Sequence, residues 1–169
     1  MTTTTGPRIV GPSDGRLADL GSIAARMMIW TEDTGGGFSL VEHPMPPRRL
    51  AAPIHKHSRE DEYSFVLEGR MGALLGDDVV YAEVGDFVFK PREQWHTFWN
   101  AGDEPCRILE IIAPGGFEHF FDELAEVTSR PDFEPPMIEP VAVKYGLEFD
   151  FEKTGPVVQE HGLIFPMGE

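Results

Sequence analysis

Short segments in which apolar and polar residues alternate dominate the chain between residues 26 and 112. Alternation with a period of two is typical of β-strands that bury one face, and turn-forming residues at 33–36 and 76–78 separate such segments. The segments that predict strands are 26–31, 37–42, 63–67, 71–75, 79–82, 87–89, 97–100 and 107–112. Many short strands with regular turn signals predict an all-β sandwich or barrel.

A helical pattern replaces this alternation after residue 116. Five apolar residues recur at helical spacing, with acidic residues between them: Phe117, Phe120, Phe121, Leu124 and Val127. The spacing predicts an amphipathic helix with an aromatic face, which we expect to dock on the sheets or on a partner in preference to acting as a lid over a ligand. A second helical pattern at 138–145 ends before Gly146, and a short alternating segment follows at 147–151.

These patterns predict a single domain, since 169 residues are enough to bury one sizeable core. We expect four parts along the chain. They are an N-terminal arm at 1–25, a β-barrel at about 26–113, an extension with one or two helices at about 114–146, and a tail at 147–169.

Charge and composition narrow the classes of function. Fourteen basic residues against twenty-nine acidic ones give a net charge of −15, so nucleic acid is not expected as a partner. No apolar run approaches the roughly 20 residues of a membrane span, and the N-terminus lacks the basic start and apolar stretch of a secretory signal. Cys106 is the single cysteine and cannot form an internal disulfide. These features favour a cytoplasmic protein with neither nucleic acid nor membrane as a partner.

Three histidines and one glutamate have spacings that can place four ligands around one divalent metal. His55 and His57 lie two residues apart, so an extended segment points both side chains to one face. Glu62 begins one predicted strand, and His96 begins another that reaches the same interior if the sheet closes. Imidazole and carboxylate together suit Zn, Fe, Mn, Ni, Co or Cu, and two further coordination positions could stay open to water or substrate.

Neighbouring acidic residues and the other histidines are expected to stay outside this set. Asp61 is one residue out of register with Glu62 and should face away from it. Glu60 also lacks the register of a ligand. The remaining histidines are expected to be surface or core residues: His43, His119 and His161.

The same stretch resembles the first sequence motif of the cupin superfamily. That motif contains His-x-His, a Glu a few residues later and a closing Gly, which match His55, His57, Glu62 and Gly69. The opening Gly of the motif is missing, because Pro and Ile occupy positions 53 and 54.

The second cupin motif, Gly-x5-Pro-x-Gly-x2-His-x3-Asn, also has its counterpart, at Gly85, Pro91, His96 and Asn100. The 15 residues between the motifs, 70–84, are typical of small bacterial members of the superfamily. Glu93 stands where the motif has a Gly, at a turn that can require a positive φ. Either the turn has a different shape or Glu93 adopts that conformation with strain on the order of 1 kcal/mol, and we expect its side chain to be solvated.

The resemblance implies a double-stranded β-helix, a small jelly-roll-like barrel with the metal inside. In that family the ligands would be His55, His57, Glu62 and His96. Small cupins commonly pair through their outer sheet, so the resemblance also implies a homodimer.

Three functions stay open at this point. Phe, Met and Ala side chains around the metal would make a largely apolar pocket, which favours a small aromatic or apolar organic substrate. A likeness to quercetinase-like cupins implies a metal-dependent dioxygenase in which Glu62 acts as a catalytic base. The alternatives are a non-redox isomerase, cyclase or decarboxylase that uses the metal as a Lewis acid, and a module that binds a small ligand without turnover.

Overall fold

Two antiparallel β-sheets form most of the molecule, in a computed structural model that describes residues 6–166. Residues 1–5 of the predicted arm and 167–169 of the predicted tail lie outside the described residues. The predicted all-β class is confirmed. No helix within residues 6–166 is both long and apolar enough to cross a membrane.

The first sheet has six strands. In spatial order they are β1 (Arg16–Asp19), β2 (Ala24–Ile29), β3 (Ser39–Met45), β10 (Cys106–Ala113), β5 (Asp61–Glu68) and β8 (Phe87–Lys90). The second sheet has five strands. In spatial order they are β11 (Leu147–Asp150), β4 (Ile54–His57), β9 (His96–Asn100), β6 (Arg70–Leu75) and β7 (Asp78–Glu83).

Three α-helices follow or flank the last strands: α1 (Glu118–Thr128), α2 (Ile138–Lys144) and α3 (Phe151–Glu160). Short 3-10 turns occupy Thr31–Thr34 and Pro135–Met137. The helical patterns after residue 116 and at 138–145 thus correspond to α1 and α2, and the alternating segment after Gly146 corresponds to β11.

Side chains that alternate along the strands fill the space between the two sheets. In β10 every second residue is buried, from Cys106 through Ile108 and Glu110 to Ile112. Cys106 and Ile108 meet residues of the opposite sheet such as Met71 in an apolar cluster. The period of two that predicts the strands therefore also decides which residues form the core.

The aromatic face of α1 packs on the first sheet. Phe120 and Phe121, with Phe117 just before the helix, form a second apolar cluster with Met27 of β2 and Val41 of β3. The helix thus docks on the sheet, as its amphipathic pattern predicts.

The third helix, α3, lies in the segment predicted as a tail. Gly155 and Pro156 are helix-breaking signals inside it, so the sequence pattern gives little indication of a helix there. Tertiary contacts hold it in place: Thr154 Oγ1 accepts a hydrogen bond from the backbone N–H of Ile54 (3.0 Å). Through this contact α3 helps to fix β4, the strand that carries His55 and His57.

The predicted N-terminal arm likewise contains regular structure. β1 and the start of β2 lie within residues 1–25 and pair with each other from Arg16 to Met27. β1 is the first strand of its sheet, and Ala18 is its only buried residue. So short a strand with one buried side chain leaves little alternation to detect.

Glu93 adopts the positive φ for which the cupin motif uses glycine. Its φ is 62°, its side chain is exposed, and its backbone N–H donates to the carbonyl of His57 (2.7 Å). The turn therefore keeps the conformation of the motif, and the strained residue helps to hold the end of β4.

We expect Glu93→Gly to raise the free energy of unfolding by about 0.5–1 kcal/mol, because glycine adopts a positive φ without steric strain. Chemical denaturation monitored by circular dichroism measures the change. Gln94→Gly in the same turn is the matched control; it should lower stability, since Gln94 does not have a positive φ. Equal effects of the two substitutions would contradict the assignment of strain to Glu93.

Candidate metal centre

The two sheets bring the four predicted ligands together in the interior. β4 carries His55 and His57, β9 begins with His96, and β5 of the opposite sheet carries Glu62. One possible ligand atom from each lies within 4.8 Å of the other three, and each residue is at most 5 % exposed. We call these residues the four candidate ligands. As a group they could hold one metal ion.

Backbone carbonyls orient two of the imidazoles. His55 and His96 face each other across β4 and β9, and their Nδ1 atoms lie 2.7 Å from the carbonyl of Pro53 and 3.0 Å from that of Gln94. A carbonyl can only accept, so Nδ1 carries the proton in both rings. The Nε2 lone pairs are then available as metal ligands, which is the arrangement common around bound metals.

The third imidazole, His57, is buried without a hydrogen bond among the described residues. Its Nε2 lies 3.4 Å from Glu62 Oε1 and its Nδ1 lies 3.6 Å from Glu60 Oε2. Buried polar atoms without a partner are rare. A metal ion at Nε2 would satisfy this atom, so the residues fit the group that the resemblance implies.

Glu62 is shared between the imidazoles and a buried ion pair. Its Oε2 lies 3.2 Å from His96 Nε2 and 3.0 Å from Lys90 Nζ. Lys90 Nζ lies 2.7 Å from Glu110 Oε1, and Ser64 Oγ donates to Glu110 Oε2 (2.9 Å). All of these side chains are buried, and we call Glu62, Lys90, Glu110 and Ser64 the buried charge network.

The electrostatics leave three of the candidate ligands, His55, His96 and Glu62, in the protonation state that a metal requires. Burial holds the pKa of His55 well below its ordinary value of 6.5 and also lowers the pKa of His96, so these rings are neutral at pH 7. Burial alone would raise the pKa of Glu62, but the ammonium of Lys90 beside it holds that pKa well below 4.5. Burial would lower the pKa of Lys90, but Glu110 and Glu62 raise it instead, so the lysine keeps its charge.

Aromatic side chains form walls around the site. The ring of Phe117 meets His57 edge-on at 4.4 Å between centroids, and Phe149 of β11 lies 6.3 Å from His55. Lys90 Nζ lies 4.3 Å from the centroid of Phe98. The polar cluster therefore sits in a largely aromatic surrounding.

The group of four does not include Asp61 or the other three histidines. Asp61 faces outward and pairs with Arg92 at 2.9 Å. His119 contacts Glu32, and His161 stacks on Trp99. His43 is buried between Phe98 and Phe121 and is not one of the four candidate ligands.

A second group of possible ligands lies at the start of α1, where Glu32, Glu118 and His119 come within 4.8 Å of one another. Both oxygens of Glu118 accept backbone N–H groups, from Thr31 (2.6 Å) and Gly116 (2.7 Å). Glu118 therefore ties α1 to the loop after β2, and this role accounts for its burial.

Sequence reasoning did not identify three residues beside the site: Glu60, Lys90 and Glu110. Glu110 alternates with Ile108 and Ile112 along an apolar strand, and that pattern is a signal for an acidic side chain inside the barrel. Glu60 lies three residues after His57 in the run Glu60-Asp61-Glu62, and its sequence position does not distinguish it from the other acidic residues there.

A protein-family comparison matches residues 42–112 to the cupin domain. A curated relative, an uncharacterised protein of Methanocaldococcus jannaschii, is 30 % identical over 73 residues, which are 43 % of this chain. The match spans 58 % of that relative, less than two thirds of its length.

Solved structures share the fold over a larger part of the chain. KdgF from Halomonas sp. matches with a TM-score of 0.59 and 15 % identity over 68 % of this chain and 99 % of its own. An RmlC-like cupin from Shewanella frigidimarina matches with a TM-score of 0.57 and 14 % identity over 69 % and 99 %. The polyketide cyclase RemF from Streptomyces resistomycificus matches with a TM-score of 0.56 and 26 % identity over 76 % and 96 %.

The two motifs, the paired sheets and these similarities agree. Residues 42–112 match the cupin domain, and the chain shares its fold with KdgF and with the RmlC-like cupin. Its fold is the double-stranded β-helix that the resemblance implies.

We expect Glu60→Gln to weaken the binding of Zn²⁺ or Co²⁺ by roughly 10- to 100-fold, because Glu60 is the carboxylate that faces Nδ1 of His57 behind the site. Competition with a chromophoric chelator measures the affinity. Asp61→Asn is the matched control, since Asp61 lies next in the chain but faces outward. An unchanged affinity in Glu60→Gln would show that Glu60 does not support His57.

We also expect the metal-free protein to lose stability between pH 7.5 and 5.5. Burial lowers the pKa of His43, His55 and His96 in the folded state, so below about pH 6.5 the unfolded chain binds more protons. The free energy of unfolding therefore decreases as the pH is lowered, by at most about 1.4 kcal/mol per pH unit for each histidine. Urea denaturation in the presence of a chelator measures this slope. It should be shallower in His96→Asn, and a flat profile in the parent protein would contradict the expectation.

Proposed function

We propose that this protein holds one divalent transition metal at the four candidate ligands and acts on a small aromatic or apolar organic molecule. The reaction proposed is a cyclisation without net redox change. The observation that carries the proposal is the buried group of three imidazoles and one carboxylate inside aromatic walls. The similarity to the polyketide cyclase RemF, at 26 % identity over 96 % of that chain, favours a cyclase.

In this proposal the chain supplies the proton transfer and the orientation. A bound metal would act as a Lewis acid that polarises a carbonyl oxygen of the substrate. Glu62 is ionised at neutral pH and would accept a proton from the carbon beside that carbonyl. His55 and His96 present Nε2 to the centre, because backbone carbonyls hold their Nδ1 atoms.

Access to the centre depends on aromatic side chains. Each candidate ligand is at most 5 % exposed, and Phe117 packs directly against His57. We propose that a substrate ring displaces Phe117 and takes its place against the imidazole. Such an exchange of one aromatic contact for another favours a flat, apolar substrate and keeps water away from the reacting carbonyl.

A dioxygenase is the second candidate. It is supported by the position of Glu62, whose Oε2 contacts both Lys90 and His96. A carboxylate with a second cationic partner can leave the centre and act as the base that removes a proton from an enol or catechol substrate. Binding of a small ligand without turnover is the third possibility, and the same experiment separates all three.

We expect the purified protein to contain close to one equivalent of divalent transition metal by elemental analysis. The Zn²⁺-loaded protein should convert enolisable poly-β-ketone substrates to cyclised products in the absence of oxygen. Mass spectrometry of the products measures the conversion. His57→Ala should lose both the metal and the activity, because it removes one imidazole of the group.

The other outcomes assign the other functions. Conversion that requires oxygen and consumes it would replace the cyclase by a dioxygenase. A ligand-induced rise in the melting temperature without any product would indicate a binding module. An unchanged metal content in His57→Ala would contradict the proposed ligand set.

A further inference from the structure

The buried charge network contains a lysine that touches a candidate metal ligand. We infer that Lys90 is a positioning residue that competes with the metal for Glu62, and that Glu110 sets the strength of this competition. The inference rests on the proposed metal site and adds to it the reason why Glu62 would be a loosely held ligand.

The strand register places Lys90 against Glu62. The two residues are direct partners in the pairing of β5 with β8, and Nζ lies 3.0 Å from Oε2 of Glu62. Lys90 is fully buried, so water does not screen this contact. One oxygen of Glu62 is therefore engaged by the ammonium, and a metal that binds this carboxylate has to share it.

Glu110 is a second carboxylate that pairs with the ammonium of Lys90. Its Oε1 lies 2.7 Å from Nζ, closer than Glu62, and Ser64 Oγ holds the other oxygen at 2.9 Å. Two carboxylates thus face a single ammonium in a space that excludes water, and one negative charge is left over. A divalent cation at the four candidate ligands would compensate that excess.

This arrangement predicts opposite effects on metal affinity for two variants, one with a single and one with a double substitution. Removal of the charge on Glu110 leaves the whole attraction of Lys90 to Glu62, which should weaken metal binding. Removal of both Lys90 and the charge on Glu110 leaves Glu62 as the last charged group of the network, so its carboxylate should bind the metal more tightly. A purely structural ion cluster would change the stability of the fold in both variants without such a reversal.

The test compares Co²⁺ binding to the parent chain, Glu110→Gln and the double variant Lys90→Met/Glu110→Gln. Lys90→Met alone would bury two unpaired carboxylates and risks misfolding, and for that reason the double variant is used. Chelator competition gives the affinity, and the visible absorption of bound Co²⁺ reports the coordination of the metal. Circular dichroism and thermal melting verify that each variant is folded.

We expect about tenfold weaker Co²⁺ binding in Glu110→Gln and about tenfold tighter binding in the double variant, with a changed Co²⁺ spectrum in both. Arg107→Met/Glu68→Gln is the matched control. It removes an ion pair of 2.8 Å between the same two strands, β10 and β5, but on their outer face. Its affinity and spectrum should equal those of the parent.

The contrary results are distinct. Folded variants that keep the affinity and spectrum of the parent would overturn the inference and leave Lys90 and Glu110 as structural residues. Changes of the same sign in both variants would also overturn it. A parent chain that does not bind Co²⁺ would reject the metal centre of the proposed function, and with it this inference.

Discussion

The pairing of charges on the inner face of the six-stranded sheet is the constraint on which the rest of this structure depends. Two carboxylates and an ammonium lie in an interior otherwise walled by aromatic and aliphatic side chains, and an unpaired buried ion costs several kcal/mol. The register of the strands meets this demand, because Glu62 opposes Lys90 and Ser64 opposes Glu110. A slip of one residue would turn every one of these side chains to the outer face. Charge pairing and hydrophobic burial therefore select the same register.

Elements outside the barrel contribute to the order of the imidazoles. Thr154 of α3 holds the start of β4, and the backbone of Glu93 holds its end. Phe117, which leads into α1, packs against the ring of His57. The helix α3 and the residue that precedes α1 thus support the candidate site as well as the fold. Two of the imidazoles are oriented by backbone carbonyls, so the local chain conformation decides which ring nitrogens face the centre.

The sequence predicts the barrel well, because most strands bury one face and show it by alternation. The grouping of the four candidate ligands was also predictable from their spacing and from the cupin motifs.

The burial of Lys90 was not predictable from the sequence, for a physical reason. In β8 the two phenylalanines, Phe87 and Phe89, are exposed and contact the outer aromatic residues of β5, while Val88 and Lys90 point inward. Hydrophobicity alone would place the phenylalanine face of this strand inside the barrel, and the observed face is the opposite one. Glu62, whose charge explains the buried lysine, lies 28 positions earlier in the chain. The helix α3 was not predicted because Gly155 and Pro156 have low helix propensity, which tertiary packing outweighs in the structure.

The position of Lys90 on β8, the last strand of the six-stranded sheet, also affects how the barrel can open. Terminal strands are usually among the first elements of a sheet to detach, since hydrogen bonds hold them on one side alone. Detachment of β8 would carry the ammonium away and leave Glu62 and Glu110 without it in a poorly solvated space. The free energy of that local opening therefore includes the repulsion of two abandoned carboxylates. The terminal strand β8, which would open most easily in an ordinary barrel, is here held by the buried ion pairs of Lys90.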